Sequence, residues 1–347
     1  MMDRSKKLAR GGVAALVAVG LATTPVFADE IEAEEVIVGE EIVAPVEPCP
    51  ECAINNGSVT VGIGNDFTNA YFFRGILQEK TGFIWQPWGE VTWAVFQAGE
   101  DDQSGVSEVT VTAGSWNSVQ SNRGTVVNDG AGPGNWYESD LYVGVGLDTE
   151  MGLSAGVSYV AYMSPSNSFG TVQEIDLDVA YDDSGLYGDD MDDLGFAINP
   201  YLLWAFEVDK TRFGTIKNKK GIYMELGMEP TVTVMQNSDY PVAIGVPVTV
   251  GLSLDNYYLP NDNPNGSNPG DETFGYASVG LGLAVPLSFI PARLGSFSAG
   301  VSGEWLALGT NLQRYNNGPV HNGGTKSNPE QGTFGEWIGV ASLNWQY

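Results

Sequence analysis

Acidic side chains occur at every second position in several stretches of this sequence. The run 174–178 shows the pattern most clearly, with acids at its first, third and fifth positions and apolar residues between them. Side chains two residues apart share one face of a β-strand, so such carboxylates would line one surface. The acids placed in this way are Glu90, Glu108, Glu138, Asp140, Glu174, Asp176, Asp178, Glu225, Glu229, Glu304 and Glu336. Carboxylates gathered on one surface attract cations, and paired carboxylates can also act in hydrolysis.

A hydrolase is the first alternative to be weighed. Nucleophilic hydrolysis needs a base beside the nucleophile, and the only histidine is His321, in a Gly- and Asn-rich stretch with no matching serine motif. Asp176 and Asp178 could support a glycosidase-type or aspartic mechanism, but acids two apart on a strand are common lining residues. We therefore expect no catalytic residues and no enzymatic activity.

The composition is unusual for a soluble domain. The chain has 347 residues, of which 43% are hydrophobic and only 17% charged, and its formal net charge is -28. Soluble domains carry about 25% charged residues, and the 9 Trp, 15 Tyr and 14 Phe exclude a disordered chain. The acid excess excludes a nucleic-acid partner. The longest apolar run, 11–22, is shorter than the roughly 20 residues of a membrane-spanning helix, so a membrane location would have to use strands.

The first 56 residues divide into two segments. Residues 1–28 have the basic start, apolar stretch and small residues before Asp29 that are typical of an export signal. Residues 29–56 contain acids and prolines but no bases, which predicts an extended, self-repelling periplasmic arm.

The arm ends in the motif Cys-Pro-Glu-Cys, formed by Cys49 and Cys52. In an exported protein a local disulfide is the default interpretation. A thioredoxin-like site would need a strand-to-helix junction, haem attachment would need a histidine in place of Ala53, and zinc would need two further ligands. Oxygen-rich positions at 261–263 and 271–272 lack EF-hand spacing and are explained by Asn-Pro turns. We expect no metal and no cofactor.

From residue 57 onward, apolar and polar or small residues alternate over stretches long enough to cross a bilayer, which takes roughly 9–11 tilted residues. The predicted strands are 57–74, 83–98, 105–119, 136–148, 152–163, 171–182, 194–208, 219–235, 241–254, 273–286, 293–308 and 332–347. Their number is even. The sequence therefore predicts an all-β fold, a transmembrane antiparallel up-and-down barrel of about twelve strands over 57–347.

The connections support this assignment. The long connections 120–135, 255–272 and 309–331 fall on one side of the membrane if both barrel termini are periplasmic. No Lys or Arg faces outward in the middle of a strand, where it would cost roughly 2–4 kcal/mol. A secreted carbohydrate-binding β-sandwich, the soluble alternative, would have shorter strands and no sidedness in its loops.

The chain ends in a strand with Leu343, Trp345 and Tyr347 on one face. This aromatic terminus resembles the signal by which the barrel-assembly machinery recognises outer-membrane barrels. Closure gives the strand a second reason to lie there, since pairing with the first strand leaves no edge exposed to lipid.

Near the end of the first predicted strand, the segment 70–78 contains Tyr71, Phe73, Arg74 and Gly75 in the order aromatic-x-Phe-Arg-Gly-Ile-x-Gln. This segment resembles a motif found early in the TorF-type porins of Gram-negative bacteria. The resemblance covers about ten residues and implies a pore-forming barrel whose substrate is poorly defined.

Arg74 lies an even number of residues from the inward-facing positions of the first predicted strand, so its side chain should point into the lumen. There Asp66 or Glu90 could pair with it. Alternatively, Arg74 anchors a loop or meets a lipid phosphate. With the inward carboxylates, the sequence predicts an outer-membrane, cation-preferring channel for passive diffusion of small cationic or neutral hydrophilic solutes. The alternatives are a non-conducting structural barrel whose interior is plugged, an outer-membrane hydrolase, and the secreted sandwich.

Overall fold

The computed structural model describes residues 15–16, 37–38, 58–99, 104–121, 135–188, 191, 194–209, 219–259, 270–316 and 334–347. The proposed export signal and the acidic arm with Cys49 and Cys52 therefore lie outside the described residues, apart from a short parallel pairing of Ala15–Leu16 with Ile37–Val38. Within the described ranges, no helix combines the length and the apolar character needed to cross a membrane.

The chain forms a closed antiparallel barrel of 12 strands, as predicted. The strands are β1 (Val59–Thr68), β2 (Ile84–Gln97), β3 (Val106–Gln120), β4 (Trp136–Thr149), β5 (Leu153–Met163), β6 (Val172–Tyr181), β7 (Tyr201–Glu207), β8 (Ile222–Met228 and Thr231–Val234), β9 (Val242–Gly245 and Val248–Asp255), β10 (Phe274–Pro286), β11 (Ser296–Leu308) and β12 (Gly335–Gln346). Each strand pairs with its neighbours in sequence, and β12 closes the barrel by pairing with β1.

Prolines explain the two interrupted strands. β8 breaks at Pro230 and β9 at Pro247, where a residue without a backbone N–H cannot donate to the ladder. β7 starts later than predicted, at Tyr201, and only Ala197 upstream of it makes a single bridge, to Thr231.

The two surfaces of the barrel differ as the alternation requires. On β4, Leu141 and Val145 face outward and are exposed, while Tyr142 and Asp148 face inward and are buried. The same division holds on β11, where Val301 is outward and Glu304 is buried. An apolar exterior around a closed ladder suits a lipid environment, because the strands hydrogen-bond to one another all around the barrel and leave no open edge.

The first strand is shorter than predicted. β1 ends at Thr68, and the chain then turns into the lumen as a hairpin of Tyr71–Phe73 paired with Ile76–Glu79, here named the inner hairpin. Its two-residue turn is Arg74-Gly75, with φ of 48° and 78°. Positive φ at both central residues is typical of the tight turns that join hairpin strands.

The predicted loop 309–331 also contains structure. A short helix, α1 (Thr310–Asn316), begins the loop, and a single 3₁₀ turn, Ala292–Leu294, precedes β11. Leu312 of α1 and the apolar side chains of the inner hairpin belong to one apolar cluster inside the barrel, to which Tyr257 and Tyr258 after β9 contribute. This part of the lumen is therefore filled by protein.

Candidate functional site

The acids singled out by alternation lie on the inner surface of the barrel. All of them except Glu336 are buried. Glu336 is half-buried and its Oε1 lies 3.4 Å from Lys80 Nζ. The acids on β4, β6 and β8 are concentrated on one continuous part of the wall, because these strands are separated only by β5 and β7. We call this part of the interior, β4 to β8, the acidic wall.

Tyrosine hydroxyls hold several of these carboxylates. Tyr71 donates to Glu138 at 2.7 Å, and Tyr142 donates to Glu90 at 3.1 Å. Glu225 on β8 accepts from three tyrosines, which are Tyr201, Tyr223 and Tyr276. The sequence pattern places Tyr142 and Tyr223 on the inward face beside the acids, but it does not reveal which carboxylate each hydroxyl meets.

Arg74 at the tip of the inner hairpin reaches the acidic wall. Its Nη1 lies 2.9 and 3.1 Å from the two carboxylate oxygens of Glu174 and donates to Tyr257 Oη at 2.8 Å. Its Nη2 lies 3.9 Å from Asp176 Oδ2, beyond hydrogen-bond length but within strong electrostatic range. The guanidinium also lies 4.3 Å from the ring centroid of Tyr223, close enough for a cation–π contact.

These contacts correct two expectations about Arg74. Glu174 takes the place that Asp66 or Glu90 was expected to fill, because the chain leaves the wall after Thr68 and carries Arg74 across the lumen. The side chain is fully buried, so it does not meet a lipid phosphate. Burial by itself would lower the pKa of Arg74, but Glu174 and its other neighbours raise that pKa well above its usual value, and the guanidinium stays charged.

Two further segments fix the turn of the inner hairpin. Asn316 of α1 donates its side-chain amide to the Gly75 carbonyl at 2.9 Å and accepts from Leu77 N at 3.0 Å. Tyr258, after β9, donates to the Arg74 carbonyl at 3.0 Å. A buried turn must have its backbone groups paired, and these side chains supply the partners.

Gly75 is required by space as well as by conformation. A Cβ atom at this position would lie 2.7 Å from Leu312 Cδ1 and 3.1 Å from Tyr276 Cδ1, at a φ that side chains rarely adopt.

Asp140 is a buried carboxylate of the acidic wall whose oxygens the described protein does not pair. It is 2% exposed, and neither oxygen has a hydrogen-bond partner among the described residues. A buried carboxylate without a partner is costly unless water, a proton or a cation accompanies it. The described part of the chain contains no group of three or more His, Cys, Asp or Glu side chains that could hold a metal ion.

The remaining candidate residues are placed as follows. Asp271 accepts from Ser253 and Asn256, and Glu272 accepts from the first backbone N–H groups of α1, so both carboxylates serve local structure. His321 and the stretch 261–263 lie outside the described residues.

At the end of the chain, Leu343 faces outward, Trp345 stacks on Tyr347, and Tyr347 exchanges backbone hydrogen bonds with Val61. Their role as an assembly signal stays a prediction.

No family model matches this chain, so its resemblance to the TorF-type porins also stays a prediction. No curated protein matches it either.

Among solved structures, the chain is similar to the COG4313 outer membrane channel from Pseudomonas putida F1, with 12% identity, 87% of this chain and 100% of that chain covered, and a TM-score of 0.43. It is similar to the NanC porin at 9% identity, covering 82% of this chain and 98% of that chain, with a TM-score of 0.36. It is also similar to LpxR from Salmonella typhimurium at 7% identity, covering 82% of this chain and 99% of that chain, with a TM-score of 0.39. These are similarities of barrel architecture, and no functional assignment rests on them.

Proposed function

We propose that this protein is an outer-membrane channel for passive diffusion of small hydrophilic solutes, with a preference for cations. The observation that supports this proposal is the acidic wall. Its buried carboxylates face one buried cation among the described residues, Arg74. A buried carboxylate such as Asp140 is stabilised by water, a proton or a cation, and a water-filled lumen would supply all three.

The inner hairpin defines where the path is narrowest. Arg74 spans from the hairpin to Glu174 and Asp176, so a solute passing along the acidic wall meets this cluster. The surrounding carboxylates would attract cations to the wall, and the charge of Arg74 would limit how closely they approach. The expected channel is therefore narrow and selective rather than wide.

A planar-bilayer recording of the purified protein in a salt gradient tests the proposal. We expect discrete conductance steps and a reversal potential of the sign given by cation permeation. Asp140→Asn should lower the cation-to-anion permeability ratio by a factor on the order of two, because one lumen charge is removed. Glu150→Gln removes one charge from the exposed turn between β4 and β5 and should leave the ratio unchanged. A clear anion preference would overturn the assignment of selectivity.

A non-conducting structural barrel is the second candidate, and the apolar cluster that the inner hairpin and α1 form inside the lumen favours it. Conductance that is absent in the wild type and also in a variant with a weakened hairpin would support this alternative.

The location, the partners and the lack of enzymatic activity are part of the same proposal. The partners would be outer-membrane lipid, the barrel-assembly machinery and small cationic or neutral solutes, with both barrel termini in the periplasm. Heat-modifiable gel mobility and retention in the Sarkosyl-insoluble fraction test the location. Deleting Tyr347 should reduce the amount of barrel that assembles in the membrane. The non-enzymatic assignment would be overturned if the protein hydrolysed lipid micelles and lost this activity when His321 was changed.

A further inference from the structure

The guanidinium group of Arg74 lies among groups that belong to the barrel rather than to the inner hairpin. Glu174 is on β6, Tyr223 is on β8, and Tyr257 follows β9. Both carboxylate oxygens of Glu174 and the hydroxyl of Tyr257 lie within 3.1 Å of Arg74 Nη1. The hairpin brings the cation to these groups. We call the space that they surround the guanidinium pocket.

Two tyrosine rings form the apolar side of the guanidinium pocket. Arg74 Cζ lies 4.3 Å from the ring centroid of Tyr223 and 5.4 Å from that of Tyr257. Both tyrosines are held by the protein, since the Tyr223 hydroxyl donates to Glu225 and the Tyr257 backbone N–H donates to Ser253 Oγ. A carboxylate beside fixed aromatic faces is a combination that favours flat organic cations.

Arg74 does not use every acceptor that the pocket offers. Among the described residues, Nε and Nη2 of Arg74 have no hydrogen-bond partner, and neither have the two carboxylate oxygens of Asp176. Asp176 is fully buried, and its Oδ2 lies 3.9 Å from Nη2. The guanidinium of Arg74 is tied to the two-residue turn of the hairpin. A free guanidinium ion has no such tether, so it can move until it donates to both Glu174 and Asp176.

We propose that the guanidinium pocket is a binding site for guanidinium compounds, and that Arg74 occupies it as a tethered substitute which such a solute displaces. The pocket is closed while Arg74 is in place, because the side chains of Arg74 and Glu174 are 0% and 1% exposed. Binding therefore requires the Arg74 side chain to leave. As a solute class for the channel, this inference rests on the proposed function, whereas binding can be measured on a barrel that carries no current.

Competition with Arg74 gives the proposal a distinctive consequence. A free ligand binds only the fraction of molecules in which the pocket is empty, so the tethered side chain lowers its apparent affinity. Arg74→Ala removes the competitor and leaves a space with the shape of N-ethylguanidinium, the fragment that the substitution deletes. We expect this variant to bind N-ethylguanidinium at least tenfold more tightly than the wild type does. A side chain that only stabilised the fold would give no such gain.

The test is a thermal titration of the full chain, folded in detergent, with millimolar N-ethylguanidinium. The readout is the temperature at which the folded, heat-modifiable band is lost. For Arg74→Ala we expect this temperature to rise by about 2–3 °C at a tenfold excess over Kd. The neutral analogue N-ethylurea should give no rise. Where Arg74→Ala does not fold alone, the yield of folded barrel after refolding with and without N-ethylguanidinium measures the same binding.

A second substitution separates the pocket from a general effect of the ion. Arg74→Ala combined with Glu174→Gln removes the buried charge that Arg74→Ala leaves unpaired. This double variant should be more stable than Arg74→Ala and should lose the response to N-ethylguanidinium. The matched control combines Arg74→Ala with Glu150→Gln, at the exposed turn between β4 and β5, and should respond as Arg74→Ala does.

The inference is overturned if N-ethylguanidinium gives Arg74→Ala neither a rise in temperature nor a gain in yield. It is also overturned by an equal response to N-ethylurea, by a response that survives Glu174→Gln, or by a larger response to propylammonium, which would indicate an ammonium site. A cation-selective wild-type current without the expected response would support the channel and contradict the pocket. The expected response in a barrel that carries no current would support the pocket and contradict the channel.

Discussion

The acidic wall and the seam, where β12 pairs with β1, are two parts of one inner surface with different chemistry. On the acidic wall, carboxylates pair with tyrosines and with Arg74, and the inner hairpin packs against them. At the seam, many inward positions are small or neutral, such as Gly62, Gly64 and Asn344, and the polar ends of Asn344 have no partner among the described residues. The first region uses charge to hold a piece of the chain in place, whereas the second is lined largely by neutral side chains. A sheet of uniform architecture can thus carry two inner surfaces of different chemistry.

Removing the charge at the hairpin tip should disturb the acidic wall most. Arg74→Ala leaves Glu174 buried without its counter-charge, which we expect to cost about 3–5 kcal/mol of stability. The hairpin should leave its place, and single-channel conductance should rise. Arg293→Ala, at an exposed 3₁₀ turn, is the control. Unchanged conductance and an unchanged unfolding midpoint would show that the hairpin does not depend on this ion pair.

The outer surfaces of the two regions should respond alike, although their inner surfaces differ. Val145→Lys, on the outer surface of β4, and Val301→Lys, on the outer surface of β11 beside the seam, each place a charge against lipid at a cost of about 2–4 kcal/mol. Val145→Thr and Val301→Thr are the milder controls. Denaturant unfolding in lipid vesicles measures the cost, and a large cost on one side alone would contradict lipid contact all around the barrel.

The turn of the inner hairpin can be disturbed without removing its charge. Gly75→Val brings a side chain to a position where a Cβ would already lie 2.7 Å from Leu312, at positive φ. We expect a loss of about 1–3 kcal/mol and higher conductance, with Arg74 still present. The matched control is Gly185→Val, at a positive-φ glycine where an added Cβ would have no other atom within 4 Å. Its effect should be confined to backbone strain, without a change in conductance.

The smallest effect is expected at the seam. Ser298→Ala, on β11 beside β12, removes a buried hydroxyl that has no described partner, so stability should stay within about 0.5 kcal/mol of the wild type. Thermal unfolding measures the change. A large loss of stability would show that Ser298 is paired within the protein.

The sequence predicted the barrel well, because a period of two is a local signal and each strand carries it independently. β4 and β6, for example, begin and end within a residue of their predicted limits. The prediction for the first strand was wrong beyond Thr68, because it continued the strand to 74 and left 75–82 as a connection. The apolar residues 70–73 suit a strand, and the turn that sends the chain inward lies at Arg74-Gly75, both at positive φ.

The candidate sites depend on contacts that periodicity does not specify. The pairing of Arg74 with Glu174 requires knowing that the hairpin crosses the lumen. The cross-strand row of Trp88, Gly64 and Asn344 requires the closing register of β12 on β1, which brings the two ends of the barrel sequence together. Alternation places a side chain inside a barrel, but the neighbour that it meets follows from register and loop packing.

The inner hairpin is joined to the barrel on both sides, and this limits how it can move. Thr68 and Ile84 are paired in the sheet, so the segment between them is a loop anchored at two adjacent points on the rim. A fully extended chain spans at most about 3.6 Å per residue, and each arm of this loop is short. A hairpin released from Glu174 would therefore stay attached to the rim and could return to the lumen. The tether would set its local concentration at the acidic wall, so its return would be unimolecular and independent of protein concentration.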